Sequence, residues 1–159
     1  MEIREFGELR LIKRVMMQFN SPHPNVVKGI GDDAAVTVLD GNRYLLSTTD
    51  MLVEDIHFSL TYTPPHLLGK KAVAISLSDI AAMGGTPTVL LISLALPSHI
   101  STEFIDLLYN GVKERVDEFN ITLIGGNTSS SPDKVIIGTT MLGEVQRDRV
   151  VFRHGARVG

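Results

Sequence analysis

The sequence predicts an α+β domain: a mixed β-sheet flanked by helices. Short strands at 26–28, 35–39 and 43–48 come first, and Asp40-Gly41-Asn42 is a hairpin-type connection between the last two. Helical and extended segments then alternate from residue 66 onward. Strands joined directly, followed by strands joined through helices, fit a mixed sheet better than a doubly wound parallel one. At 159 residues the chain is long enough for one domain with a real core.

The elements follow in order. Phe6, Leu9, Ile12, Met16 and Phe19 recur at helical spacing in 5–19, and Ser21-Pro22-His23-Pro24 ends that helix, because proline cannot continue it. Residues 51–63 read as extended and irregular. HLLGKKAVAISLSDIAAM (66–83) is apolar around much of its circumference and predicts a buried helix, stopped by Gly84-Gly85 and Pro87. Val89–Leu96 has the length and composition of a buried strand. Pro97 and Ser101 introduce a helix over 102–119, with Glu103 in its first turn where the helix dipole favours an anion. A strand at 121–124, a loop at 125–133, a long strand at 135–145 and a short one at 149–152 complete the reading.

Composition narrows the function. A net charge of −3 gives no reason to expect nucleic acid or a membrane surface as partner. The absence of cysteine removes disulfides, thiolate catalysis and zinc–sulfur sites, and fits a cytoplasmic chain. The N-terminus is too charged for a signal peptide, and no apolar run reaches membrane-spanning length. The end at His154-Gly155-Ala156-Arg157-Val158-Gly159 closes no helix or strand, so a fragment of a longer protein is expected.

Polar clusters sit at the ends of apolar runs or inside them. Gly31-Asp32-Asp33 follows Val26–Ile30 and reads as a turn or as part of a cation site. Thr48-Thr49-Asp50 closes a strand with hard oxygen ligands suited to Mg²⁺, or with local caps. Asp79 lies among alanine, isoleucine and leucine, where a carboxylate points to a metal, to a partner such as Lys70 or Arg153, or to a narrow polar stripe facing solvent through Ser78 and Asp79. Gly125-Gly126-Asn127-Thr128 follows Ile121–Ile124 and offers backbone close approach to phosphate, or a simple hydroxyl-rich loop. His57, beside Glu54-Asp55, fits an anionic substrate or a surface pairing with Asp55. Either Lys70 or Lys71 would reach phosphate if not solvated, and Arg153 would clamp phosphate or serve structure. Carboxylates gathered this way repel one another unless a cation lies between them. The pattern points to several Mg²⁺ ions and a polyphosphate. No Walker, protein-kinase, G-x-S-x-G or H-E-x-x-H motif is present.

Four blocks in order, GIGDDAAV (29–36), STTDMLVEDIHF (47–58), GKKAVAISLSDIAAMGGTP (69–87) and LIGGNTSSSP (123–132), resemble the N-terminal half of the thiamine-monophosphate kinase family. That family belongs with aminoimidazole ribonucleotide synthetase, selenophosphate synthetase and HypE. The resemblance covers nearly the whole chain. It implies an N-terminal ATP- and Mg²⁺-binding domain over 1–159 that pairs its sheet in a homodimer, with a second domain beyond it. It implies ATP as co-substrate and thiamine monophosphate as acceptor. By the same resemblance, Asp33, Thr48, Thr49, Asp50, Asp79 and Asn127 would hold Mg²⁺. Gly126, Asn127 and Arg153 would contact ATP, and His57 would lie at the thiamine phosphate. The family usually carries Gly-Gly-Asp where this chain has Gly126-Asn127, and an arginine where it has Ser129-Ser130-Ser131. Other readings are a different ATP-dependent member of the superfamily, or a dimerising nucleotide-binding module without turnover.

Overall fold

The computed structural model describes residues 6–19, 23–155 and 157–158; Ser21-Pro22 and Ala156, used in the sequence reading, lie outside them. The elements are α1 (Glu8–Gln18), β1 (Val26–Lys28), β2 (Ala35–Val38), β3 (Arg43–Val53), α2 (Pro65–Ala82), β4 (Thr86–Leu96), α3 (Thr102–Glu118), β5 (Thr122–Ser130) and β6 (Ile136–Gln146). Six strands form one sheet in the order β1-β2-β3-β6-β4-β5. Only β4 and β5 run parallel, joined through α3; every other pair is antiparallel. The mixed α+β sheet is the predicted class.

Residue type decides which face is covered. Along β6 burial alternates strictly, with Ile137, Thr139, Met141, Gly143 and Val145 inward. Leu46 and Leu52 of β3 and Leu90, Ile92 and Leu94 of β4 join them against Leu68, Ala72, Val73 and Ile80 of α2. Such alternation is the signature of a sheet packed on one side. Neither α2 nor α3 covers the other face: Met51 is 60% exposed, and Ser93 and Asn127 are exposed beside it in the same cross-strand row.

Helices α2 and α3 pack closely because glycines meet backbone. A Cβ at Gly69 would lie 2.0 Å from the Leu108 carbonyl oxygen, and one at Gly111 would lie 1.9 Å from that of His66. Pro65 starts α2 at a position where a missing N–H costs nothing. Ser101 caps α3, its Oγ accepting from the Phe104 N–H at 3.1 Å.

Several boundaries depart from expectation. β3 continues to Val53, through the start of the stretch read as irregular, because β6 pairs with it along its whole length. Residues 125–130, expected as a loop, form most of β5; the free edge of β4 supplies hydrogen bonds that glycine and serine do not advertise. β4 begins at Thr86, and a register irregularity between Pro87 and Val89 accommodates the proline. No strand forms at 149–152. There the Val151 N–H bonds the Met83 carbonyl at 3.1 Å and Phe152 packs on the core.

Gly111→Ala is expected to lower unfolding stability by about 1–3 kcal/mol despite alanine's better helix propensity, because the methyl collides with backbone that cannot rotate away. Urea denaturation of the two proteins measures it.

Candidate functional site

The site forms where β2 leaves the edge of β3. Ala35 pairs with Ser47, so residues 48–53 continue without β2 beside them, and the Gly29–Ala34 turn comes alongside. A cavity of ≈ 450 Å³ opens there, lined by Asp32, Asp33, Thr49, Asp79 and Arg153, with Glu8 and Ile12 of α1 at its side.

Two side-chain pairs lock α2 over β3. Ser76 and Asp79 lie one helical turn apart, and Thr48 and Asp50 two residues apart on one strand face. The Thr48 hydroxyl donates to Asp79 Oδ2 at 2.5 Å. Ser76 Oγ donates to Asp50 Oδ2 at 3.0 Å and meets Thr139 Oγ1 at 2.8 Å. Ser76 and Thr139 are buried and would be costly without these bonds. Thr49 points the other way, donating to the Thr139 carbonyl at 3.0 Å.

Burial pushes the Asp79 carboxyl above the ordinary carboxylate range. The charges of Asp50 and Asp33 push the same way, while the Thr48 hydroxyl and Arg153 oppose them. Arg153 forms an ion pair with Asp33, and its backbone N–H donates to Asp32 Oδ1 at 3.1 Å. Asp79 is thus partnered by Thr48 and the field of Arg153. Lys70 is committed elsewhere, 2.5 Å from Glu114, which also binds His66 at 2.6 Å.

The donor set suits a hard cation, but not a closed cage. Among the described residues no three His, Cys, Asp or Glu side chains converge tightly enough to enclose an ion alone. Mg²⁺ seldom asks for that: it binds through one or two carboxylates, water and substrate phosphates. The residues fit an ion that arrives with a polyphosphate.

The remaining predicted residues lie apart. Gly126 shares a row with Ile92, Thr139 and Asp50, three strands across the sheet, about 14 Å at ordinary strand spacing. A Cβ on Gly126 would meet the Ile92 carbonyl oxygen at 1.7 Å, so glycine here permits β5 to approach β4. A second cavity of ≈ 520 Å³ lies beside Gly125–Thr128, bounded by Leu123 and Tyr109. Tyr109 was not singled out from sequence; its spacing in α3 reads only as helix face. His57 turns to its own loop, its Nδ1 accepting from the Val53 N–H at 3.0 Å, while Asp55 pairs with Lys134 instead. Lys71 Nζ donates to the His57 carbonyl at 2.5 Å.

A one-sided mixed sheet with a carboxylate, hydroxyl and arginine site at a strand edge defines an α+β domain suited to cations and anions together. Residues 31–145 match the family described as AIR synthase related protein, N-terminal domain. The chain belongs to that family. It is 40% identical over 135 residues to the thiamine-monophosphate kinase of Bacillus subtilis, covering 85% of this chain and 42% of the relative. It is 37% identical over 159 residues to that of Aquifex aeolicus, covering 100% of this chain and 48% of the relative. The solved structure of AaThiL complexed with AMPPCP and TMP superposes with a TM-score of 0.89 at 36% identity, over 100% of this chain and 48% of that one. A HypE–HypF complex, with a TM-score of 0.71 at 21% identity over 95% of this chain and 47% of that one, shares the fold. The chain spans about half the length of the curated relatives it matches. No described helix is long and apolar enough to cross a membrane.

Because its folded pKa is raised, Asp79 contributes stability at pH values below the ordinary carboxylate pKa, and loses it as pH rises through the raised value. Asp79→Asn is therefore expected to flatten that part of the pH–stability curve and raise the metal-free Tm at pH 7 by about 1–2 °C. Thermal scans from pH 4 to 7 in EDTA test this; an unchanged slope counts against it.

Proposed function

We propose that the chain is the N-terminal, ATP- and Mg²⁺-binding half of a thiamine-monophosphate kinase, acting in the cytoplasm. The observation that carries this is the Thr48–Asp79 and Ser76–Asp50 lock beside the Asp33–Arg153 pair, on a chain 40% identical to a kinase of that name. The reaction joins an oxygen of the thiamine phosphate to the γ-phosphorus of ATP and breaks that phosphorus's bond to the β-bridging oxygen. Thiamine diphosphate and ADP are the products. The acceptor oxygen is already largely anionic at neutral pH, since a phosphate monoester's second pKa is about 6. No strong base is required, and the difficulty is bringing two anions together.

Mg²⁺ held by Asp33, Asp50 and Asp79, with Thr48 and Thr49 at its margin, would offset phosphate charge and align the transfer in line. Asp79 and Asp50 are held by their hydroxyl partners before any ligand arrives, which limits the reorganisation needed. Arg153 would bring a positive group to the phosphates. Gly126 and Asn127, with Tyr109 nearby, would take another part of the nucleotide. Asn127 would contribute an amide oxygen, a weaker cation ligand than the family's usual carboxylate. His57 would meet the thiamine phosphate once its loop turns outward.

The distance between the β5 cavity and the carboxylates favours a site shared between two copies. The uncovered sheet face, with Met51 at its centre, is the surface on which a homodimer would pair its sheets.

Formation of thiamine diphosphate from ATP, thiamine monophosphate and Mg²⁺ should be measured with this chain and with the full reading frame that contains it. Turnover in the longer protein, and loss of at least about a hundredfold in kcat/KM in its Asp50→Asn variant, is expected. A folded, inactive longer protein that still binds ATP would favour the non-catalytic nucleotide-binding module. Separately, Met51→Glu should convert a dimer to a monomer in sedimentation velocity; a wild-type monomer at high concentration removes the pairing.

A further inference from the structure

The Gly31–Asp33 turn carries two adjacent carboxylates in opposite circumstances. Asp33 is partly exposed and holds the Arg153 guanidinium. The side chain of Asp32 is fully buried, at 0% exposure. Burying a carboxylate is costly unless it is bonded, so its partners indicate its work. Oδ1 accepts from the backbone N–H groups of Asp33 at 3.2 Å and Arg153 at 3.1 Å. Among the described residues Oδ2 has no hydrogen-bond partner, and Lys28 Nζ stands 3.8 Å away.

One residue therefore grips the main chain of Arg153 while its neighbour grips the side chain. The segment has further anchors: the Val151 N–H on Met83, Phe152 against the core, and the His154 ring stacked on Phe152 with centroids 5.3 Å apart. With its backbone held there, Arg153 lines the cavity that also holds Asp33 and Asp79.

We propose that Asp32 is a positioning residue that docks the Arg153 segment onto the turn, making Arg153 a built-in counter-cation for Asp33 that an incoming divalent ion displaces. The inference rests on the Mg²⁺·ATP reading above. In the empty site the guanidinium relieves repulsion among Asp33, Asp50 and Asp79. When Mg²⁺ takes Asp33, the guanidinium is released beside the phosphates that arrive with the ion. Asp32 keeps it within reach throughout. Cation entry and phosphate capture are thereby coupled through one side chain.

The test is calorimetric binding of Mg²⁺ alone, then of Mg²⁺·ATP, to the chain and its variants. Arg153→Gln should tighten binding of Mg²⁺ alone by about two- to fivefold, the range of an exposed ion pair, and weaken Mg²⁺·ATP binding. Lys28→Gln removes a charge near Asp32 but not one on Asp33, and should have a smaller effect. In an Asp32→Ala background, Arg153→Gln should no longer change Mg²⁺ affinity, whereas Asp32→Asn, which keeps the acceptor oxygen, should preserve the response. Should Asp32→Ala fail to fold, the Arg153→Gln and Lys28→Gln comparison decides alone. A wild-type chain that binds Mg²⁺·ATP, with Arg153→Gln weakening or not altering Mg²⁺ affinity, overturns the inference and leaves the site reading standing. Equal Arg153→Gln effects with and without Asp32 also overturn it. A wild-type chain that binds neither ligand overturns both.

Discussion

The contact between α2 and the middle of the sheet governs the rest of this structure. That interface is largely apolar, crossed by a polar seam in which Ser76 bridges Asp50 and Thr139 and Asp79 accepts from Thr48. Apolar packing alone leaves a helix free to rotate or slide by small amounts, since hydrophobic contact is not directional. Hydrogen bonds between buried groups are directional and costly to leave unmade. The seam therefore fixes both the rotation of α2 and its position along β3. Once it is fixed, Asp79 falls one turn further on, over Thr48. The cavity, the raised carboxyl and the neighbouring arginine latch all inherit that placement.

Much of this was legible in the sequence. The apolar runs at 66–83 and 89–96 gave buried elements because their patterns are long and nearly uninterrupted. Asp79 stood out because a carboxylate among alanine and isoleucine demands a partner. Asp33, Thr49 and Asp79 do meet at one cavity, with Thr48 and Asp50 in the lock beside it. Boundaries were less legible where pairing with distant strands overrides local preference. Gly125–Ser130 has loop chemistry, yet β4 draws it into a strand. The roles within the Asp32-Asp33 pair were also hidden: two identical neighbours differ only in which is buried, and that depends on where residues 152–154 return. Tyr109 was invisible as a cavity-lining residue for the same kind of reason, since its cavity is made by a strand assembled from residues 122–130.

The carboxylate site and the glycine strand occupy different parts of one sheet, and the sheet holds them apart rigidly. Neither is complete as an enclosed ligand site. The face opposite α2 is not covered by α2 or α3, and Met51 is exposed on it.

The central position of β6 also constrains how the chain acquires its shape. β3 pairs antiparallel with β6 along its whole length, with Arg43 opposite Gln146 and Val53 opposite Ile136, and β4 uses the other edge of β6. On a ribosome, β3, α2, β4 and α3 all emerge before the strand that joins β3 to β4. Until then β3 and β4 each keep one unpaired edge. Joining of the two groups of strands therefore waits for β6, and a chain stopped before residue 136 keeps β1-β2-β3 and the parallel β4-α3-β5 unit as pieces with no strand pairing between them.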